Sequence, residues 1–297
     1  MENNKIIVIL GPTSSGKSDL AIEIAQKYDG EIISADSRQI YRNMNIGTGK
    51  ITKSEQKLAH HYMLDIVFPK TNYNVAKFKK QAEKIIQDIL QREKLPIICG
   101  GTGFWIKALV DDVNFPEVKP DWKLREKLEK YSAEKLFSML EKMDPKRANN
   151  IDARNKVRLI RAIEICRSLG KVPPINNTSK NKKNDFLQIG INTTREKLNK
   201  RIKIRLAKRF QRGMIREVKK LHEQGLNWKK IESFGLGYYW IPKYLKGELT
   251  KEEVFEKTYQ AEKDYAKRQM TWFQKDKRIK WIKNLKEAED LIGKFIN

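Results

Sequence analysis

The chain has 297 residues with two cysteines, and its 62 Lys and Arg against 37 Asp and Glu give a formal net charge of +25. That length suits one large domain carrying an insertion, with ample room for a buried core. Cys99 and Cys166 have no partner at metal-ligand or redox spacing, which excludes a zinc framework or disulfide scaffold and fits a reducing compartment.

The apolar part of "MENNKIIVILGP" is too short for a signal peptide, and no run approaches the roughly 18 apolar residues of a membrane span, so a cytosolic protein without membrane contact is expected. "IIVIL" reads as a strand, "KSDLAIEIAQKYDG" as a helix with its apolar stripe on Leu20, Ala21, Ile24 and Ala25 ending at Gly30, and "EIISAD" as a second strand. A similar unit follows. The stripe Val75, Phe78, Ala82, Ile85, Ile86, Ile89 and Leu90 leads through Pro96 into the strand "IICGG". Alternation of this kind predicts an α/β fold, a parallel sheet flanked by helices.

Val113 to Trp122 then interrupts with two prolines, and mainly helical patterns run on to "PPINNTSKNKKND", Pro173 to Asp185, which reads as a mobile linker. Since "FLQIGIN", Phe186 to Asn192, reads as one more sheet strand, residues 119–185 are expected to be an all-helical insertion. Residues 1–118 and 186–297 then form the α/β core with its C-terminal helices. Beyond Arg195, apolar residues from Leu198 to Leu221 recur at close to four-residue spacing, as on one long helix or a pair. The positive charge gathers there. Arg195 to Lys220 holds 12 basic residues against two acidic ones, and Lys263 to Lys283 eight against two. Such concentration points to a polyanionic partner, although a Lys-rich proteome also raises the count.

"GPTSSGKS", comprising Gly11, Pro12, Thr13, Ser14, Ser15, Gly16, Lys17 and Ser18, is a complete P-loop between a strand and a helix. Gly11 and Gly16 let backbone amides turn inward on phosphate oxygens, the helix N-terminus adds its positive end, and Lys17 supplies a full charge. Ser18 is placed to reach Mg²⁺. The loop specifies phosphate or diphosphate, not nucleotide. Asp36 ends the next strand and should open on the same crevice. It is suited to hold magnesium through water, to act as a general base, or simply to cap a turn before Ser37. In "ICGGTGFWIKAL", Gly100, Gly101 and Gly103 permit close backbone approach and Thr102 offers a hydroxyl, unless the stretch is only a tight turn.

Together with "VRLIRAIEI", "RFQRGMIREVKKL" and "YAKRQMTWF", these three stretches resemble the bacterial tRNA dimethylallyltransferases, from Ile6 to about Trp281. The resemblance implies transfer of a dimethylallyl group from dimethylallyl diphosphate to the exocyclic amine of the adenine just 3′ of a tRNA anticodon. It implies Asp36 as general base, with the P-loop amides, Lys17, Mg²⁺ and Thr102 on the departing diphosphate. It also implies an enclosed channel that keeps water from a cationic carbon.

Contacts to the anticodon stem-loop would come from Asp36, Ser37, Arg38, Gln39 and Thr102, from Arg125, and from Val157, Arg158, Leu159, Ile160 and Arg161. Lys267, Arg268, Gln269 and Trp272 would form a C-terminal RNA-contact segment. A monomer is expected. The chain departs from the family in "GLGYYW", where Tyr239 stands in the position many members give to arginine, and no zinc-finger extension like that of eukaryotic members is expected. Two rivals share part of the pattern: a P-loop kinase, which leaves the C-terminal charge unexplained, and a GTPase-like RNA-binding module, for which the guanine-reading Asn-Lys-x-Asp stretch is missing.

Overall fold

In a computed structural model of the chain, which describes residues 4–174 and 184–297, six strands form one parallel sheet. They are β1 (Asn4–Leu10), β2 (Gly30–Ser34), β3 (His61–Tyr62), β4 (Leu95–Gly100), β5 (Asn184–Ile191) and β6 (Lys280–Ile282), in the order β3-β2-β4-β1-β5-β6. β1 is central, with Ile7 beside Ile97 of β4 and Leu187 of β5. Its continuous apolar run follows from burial on both faces. Ile6, Val8 and Leu10 pack with Phe78, Trp105 and Met214, while Ile7 and Ile9 pack with Ile24, Ile97 and Ile292 on the other face. Helices Val75–Gln91, Gly103–Val110 and Met214–Glu223 contribute to the first layer, and Lys17–Lys27 and Leu285–Ile296 to the second.

Because every pairing is parallel, the carboxyl ends of β1, β2, β4 and β5 share one edge of the sheet. The loops beginning at Gly11, Ala35 and Gly101 therefore open together, as ligand-binding loops of such sheets do. The expected strands are present, and the sheet gains two edge strands, β3 and β6, too short to carry a pattern of their own. Gly30 is not the end of a helix but the first residue of β2; a Cβ there would lie 2.6 Å from Ile97 Cδ1. The run after Arg195 is a helix pair, Arg195–Gln211 and Met214–Glu223, parted at Gly213, whose φ of 97° is left-handed.

The described residues fall into two compact units, one drawn from Met1–Asp111 and Ser179–Asn297, the other from Asp112–Thr178. Most of the stretch read as a mobile linker, residues 175–183, lies outside the described residues. In the second unit, helices Trp122–Glu129, Ala133–Met143, Pro145–Ala148 and Lys156–Leu169 begin at Asp121, Ser132, Asp144 and Asn155, each side chain accepting a first-turn amide. They enclose Leu124, Leu128, Leu136, Leu140, Leu159 and Ile163.

Candidate active site

The P-loop is shaped by two left-handed residues, Ser14 at φ 65° and Gly16 at φ 99°, the latter capping helix Lys17–Lys27. The turn brings the first amides of that helix, which have no intrahelical acceptors, to the loop's concave side. Lys17 Nζ donates to Pro12 O at 3.2 Å. Burial pushes its ammonium below the ordinary lysine range; Asp36 opposes that shift and Arg205 adds to it. Ser15 Oγ is buried without a hydrogen-bond partner. A cation held below its usual pKa beside an orphaned hydroxyl is a cradle that an anion would complete.

Two arginines from helix Arg195–Gln211 reach this cradle. Arg205 Nη1 donates to Ser14 Oγ at 3.1 Å, and Arg201 Nη1 to Ser15 O at 3.1 Å. Arg205 is shifted below its ordinary value, by burial first and then by Arg209. Arg209 donates to Gly47 O at 3.0 Å and pairs with both oxygens of Glu262 at 2.5 and 2.6 Å. None of Arg201, Arg205 and Arg209 was singled out from sequence. Their i, i+4, i+8 spacing puts them on one helical face, and that was the available signal.

Asp36 is half-buried just beyond β2. Its Oδ1 accepts from the amides of Arg38 at 2.8 Å and Gln39 at 3.4 Å, so the turn-capping role is real. Oδ2 has no hydrogen-bond partner among the described residues, and Asp36 lines a cavity with Thr13, Lys17 and Ser18. Thr102 serves the same loop: its Oγ1 accepts from Ser37 N at 3.0 Å. The hydroxyl expected to reach into the crevice thus holds the Asp36 turn, and Thr102 is not among the residues lining the cavity.

The glycines that end and follow β4 are explained by what approaches them. An added Cβ would lie 2.3 Å from Ala35 O at Gly100, 2.3 Å from Gln269 Nε2 at Gly101, and 2.2 Å from Trp272 at Gly103. Gln269 is a strut: its Oε1 accepts from Thr13 N at 2.8 Å while its Nε2 donates to Gly101 O at 2.8 Å. The wall opposite is "NIGTGK", Asn45 to Lys50. Glu217 accepts from the amides of Asn45, Ile46 and Gly47 at 2.7 to 2.9 Å and from the Tyr238 hydroxyl at 2.7 Å.

Two cavities adjoin here. One, of about 380 Å³, is lined by Thr13, Asp36, Arg38, Phe234, Tyr265 and Arg268 among others; the second, of about 780 Å³, is lined by Ser14, Ser15, Lys53, Arg201, Lys208 and Arg212. Lys17, Ser18, Gly49, Ile51, Arg205 and Arg209 line both. The first carries two acids, Asp36 and Glu262, and aromatic rings, the second is strongly basic, and Lys17, Arg205 and Arg209 stand where they meet.

The expected RNA-contact residues divide by exposure. Lys267 and Arg268 are exposed, as is Trp272 at 40%, whereas Gln269 is buried in its strut. Arg38 lies over the Phe234 ring at 5.5 Å. In the helical unit Val157 and Arg158 are exposed, while the side chains of Leu159 and Ile160 sit in its core. Arg125 and Arg161 both bind Glu164, Arg125 through two bonds of 2.7 and 2.9 Å. Tyr239 is 41% exposed with Lys243 Nζ 5.4 Å from its ring centre.

A family model described as IPP transferase matches residues 39–276. A tRNA dimethylallyltransferase of Acetivibrio thermocellus is 43% identical over 286 residues, covering 94% of this chain and 91% of that one. One of Halothermothrix orenii is 39% identical over 288 residues, covering 95% and 88%. Among solved structures, a tRNA isopentenylpyrophosphate transferase of Bacillus halodurans superposes with a TM-score of 0.74 at 32% identity, over 99% of this chain and 97% of that one. A eukaryotic dimethylallyltransferase acting on tRNA gives 0.78 at 30% identity, over 91% and 69%.

Proposed function

This chain belongs to the IPP transferase family, and from that premise we propose that it transfers a dimethylallyl group from dimethylallyl diphosphate to the exocyclic amine of the adenine 3′-adjacent to a tRNA anticodon. The observation that carries the assignment of roles is that Asp36, the P-loop Lys17 and Arg205 of helix Arg195–Gln211 line one cavity. The diphosphate lies on the amides of Thr13 to Ser18, with Lys17 and Arg205 neutralising the charge that grows as the carbon–oxygen bond breaks. The adenine amine is a weak nucleophile because its lone pair is delocalised into the ring. Its nitrogen forms the new bond to carbon, the diphosphate leaves with the electron pair, and one amine proton passes to Asp36 Oδ2. Thr102 acts one step removed, by holding the Ser37 amide.

Among the described residues no cluster of three His, Cys, Asp or Glu side chains is arranged to hold a metal. A P-loop serine beside a diphosphate nevertheless fits Mg²⁺, which takes few protein ligands and completes its shell with substrate oxygens and water. Ser18 would hold it, and its chemistry there would be charge neutralisation on the leaving group.

The acceptor base leaves the anticodon loop to enter the cavity, and unstacked loop bases are where RNA is most readily opened. Ser37, Arg38, Gln39, Lys267 and Arg268 meet the RNA on the core, and Val157 and Arg158 on the helical unit, while Arg125 and Arg161 act through Glu164 as its supports. We read the acting unit as one chain in the cytosol; no helix among the described residues is long and apolar enough to cross a membrane. Incubation with unmodified tRNA and dimethylallyl diphosphate, followed by mass analysis of the digested nucleosides, tests the proposal. Prenylated adenosine is the expected product, and ADP released from ATP without it would favour a kinase.

A further inference from the structure

Arg205 and Arg209 stand one helical turn apart where the two cavities meet, yet they are held differently. Arg205 is paired with no carboxylate among the described residues and touches only the Ser14 hydroxyl among the hydrogen bonds it makes. Arg209 is clamped by both oxygens of Glu262 at 2.5 and 2.6 Å, and its side chain and that of Glu262 are only 13% and 3% exposed. Stability does not explain such a pair. Two buried charges lose their hydration, and replacing an ion pair of this kind by apolar groups is often neutral or stabilising. Nor does Arg209 have all its donors satisfied, because Nε is buried without an acceptor. Glu262 also puts a negative charge on the wall of a cavity whose other wall is built to attract one, an element that weakens anion binding wherever it is not cancelled.

We propose that Glu262 is a positioning residue that withholds Arg209 from the diphosphate, limiting the full charges on that group to Lys17 and Arg205 so that pyrophosphate is released after transfer. The inference rests on the reading of the cradle as a diphosphate site. With Glu262 in place, Arg209 is directed at Glu262 and Gly47 O, and the pair adds little net charge to the junction. With the carboxylate neutralised, the guanidinium becomes a third cation at the site, and the grip on product tightens.

Inorganic pyrophosphate binding to the full chain by titration calorimetry decides it. For Glu262→Gln the dissociation constant is expected to fall about fivefold, the scale of one partly screened charge. In steady-state transfer, kcat should fall and the KM values for the prenyl donor and for tRNA should fall with it, because slowing a step after transfer leaves kcat/KM for tRNA unchanged. Arg209→Gln combined with Glu262→Gln should return pyrophosphate binding to that of the unaltered chain. Should Glu262→Gln misfold, Arg209→Gln replaces it, with binding weakened about fivefold by the uncancelled acid. Unchanged or weaker binding in a folded Glu262→Gln chain, or unchanged binding in Arg209→Gln where that replaces it, overturns the inference and leaves the diphosphate reading intact. Absence of pyrophosphate binding by the unaltered chain overturns both.

Discussion

Asp36, which lines the cavity, has two oxygens in different states: Oδ1 ties down the amides of Arg38 and Gln39, and Oδ2 has no hydrogen-bond partner among the described residues. An alanine there removes both, so it cannot separate a base from a turn. Asp36→Asn can, because the amide oxygen still accepts the two loop hydrogen bonds while the side chain no longer takes a proton. We expect Asp36→Asn to lower single-turnover transfer by about 10²-fold or more, with tRNA affinity in filter binding unchanged. Loss of affinity with retained transfer would make Asp36 an anchor. Gly103 offers a complementary test from sterics alone. Its missing Cβ lets the Trp272 indole within 2.2 Å of where that atom would lie, so Gly103→Ala must displace the ring, costing about 1–3 kcal/mol in urea unfolding.

At the level of elements, the wall from Asn45 to Lys50 has little secondary structure and is held by a carboxylate instead. Glu217 takes three of its amides and the Tyr238 hydroxyl, and hydrogen bonds to an ionised group contribute about 1.5–3 kcal/mol each when complete. Glu217→Ala leaves those donors buried or wet, and should lower unfolding free energy by at least about 2 kcal/mol and raise the donor KM, since Gly47 and Gly49 line the site.

The edge strand β3 is fixed in a related way. Glu31 of β2 accepts from Arg92 at 2.6 and 2.7 Å and from Tyr62 at 2.9 Å, and the Arg92 bonds hold its carboxyl down at about 2, from an ordinary 4.5. A depressed carboxyl pKa adds stability that is complete above the unfolded value and is lost as pH falls through the folded one. Stability should therefore decline between pH 4.5 and about 2, and Arg92→Ala should flatten that part of the profile in pH-dependent melting. These cases mark how far the sequence could be read. β1, β2 and β4 are largely buried apolar runs and β5 is buried toward its carboxyl end, so all four announce themselves. A two-residue strand such as β3, held by a distant arginine, leaves no periodic trace. The P-loop and Asp36 are local signals tied to strand ends, whereas the spacing of Arg205 and Arg209 shows only a shared helical face, and their roles, like those of Glu217 and Glu262, arise where segments distant in the chain meet.

For the molecule as a whole, the count of 62 Lys and Arg overstates what is available to RNA. Arg92, Arg125, Arg161, Arg209 and Arg278 are each paired with a carboxylate of the chain itself, so counting basic residues does not count phosphate contacts. Salt dependence does, because each phosphate neutralised releases condensed counterions and contributes about −0.7 to the slope of log affinity against log salt on single-stranded RNA. A slope of about −3 to −5 is expected between roughly 50 and 200 mM salt, well short of what the total charge suggests. Exposed Arg158, Lys267 and Arg268 should each make the slope shallower by about 0.7 to 1 when changed to alanine, with the loss of affinity similar across tRNA sequences. Arg125→Ala behaves differently if its guanidinium serves Glu164: the slope stays near that of the unaltered chain while the helical unit melts earlier, because a nearly buried carboxylate has lost a bidentate partner. A steeper response from Arg125→Ala than from Arg158→Ala would reverse that division, making the buried network the phosphate contact and the exposed face a solvated one.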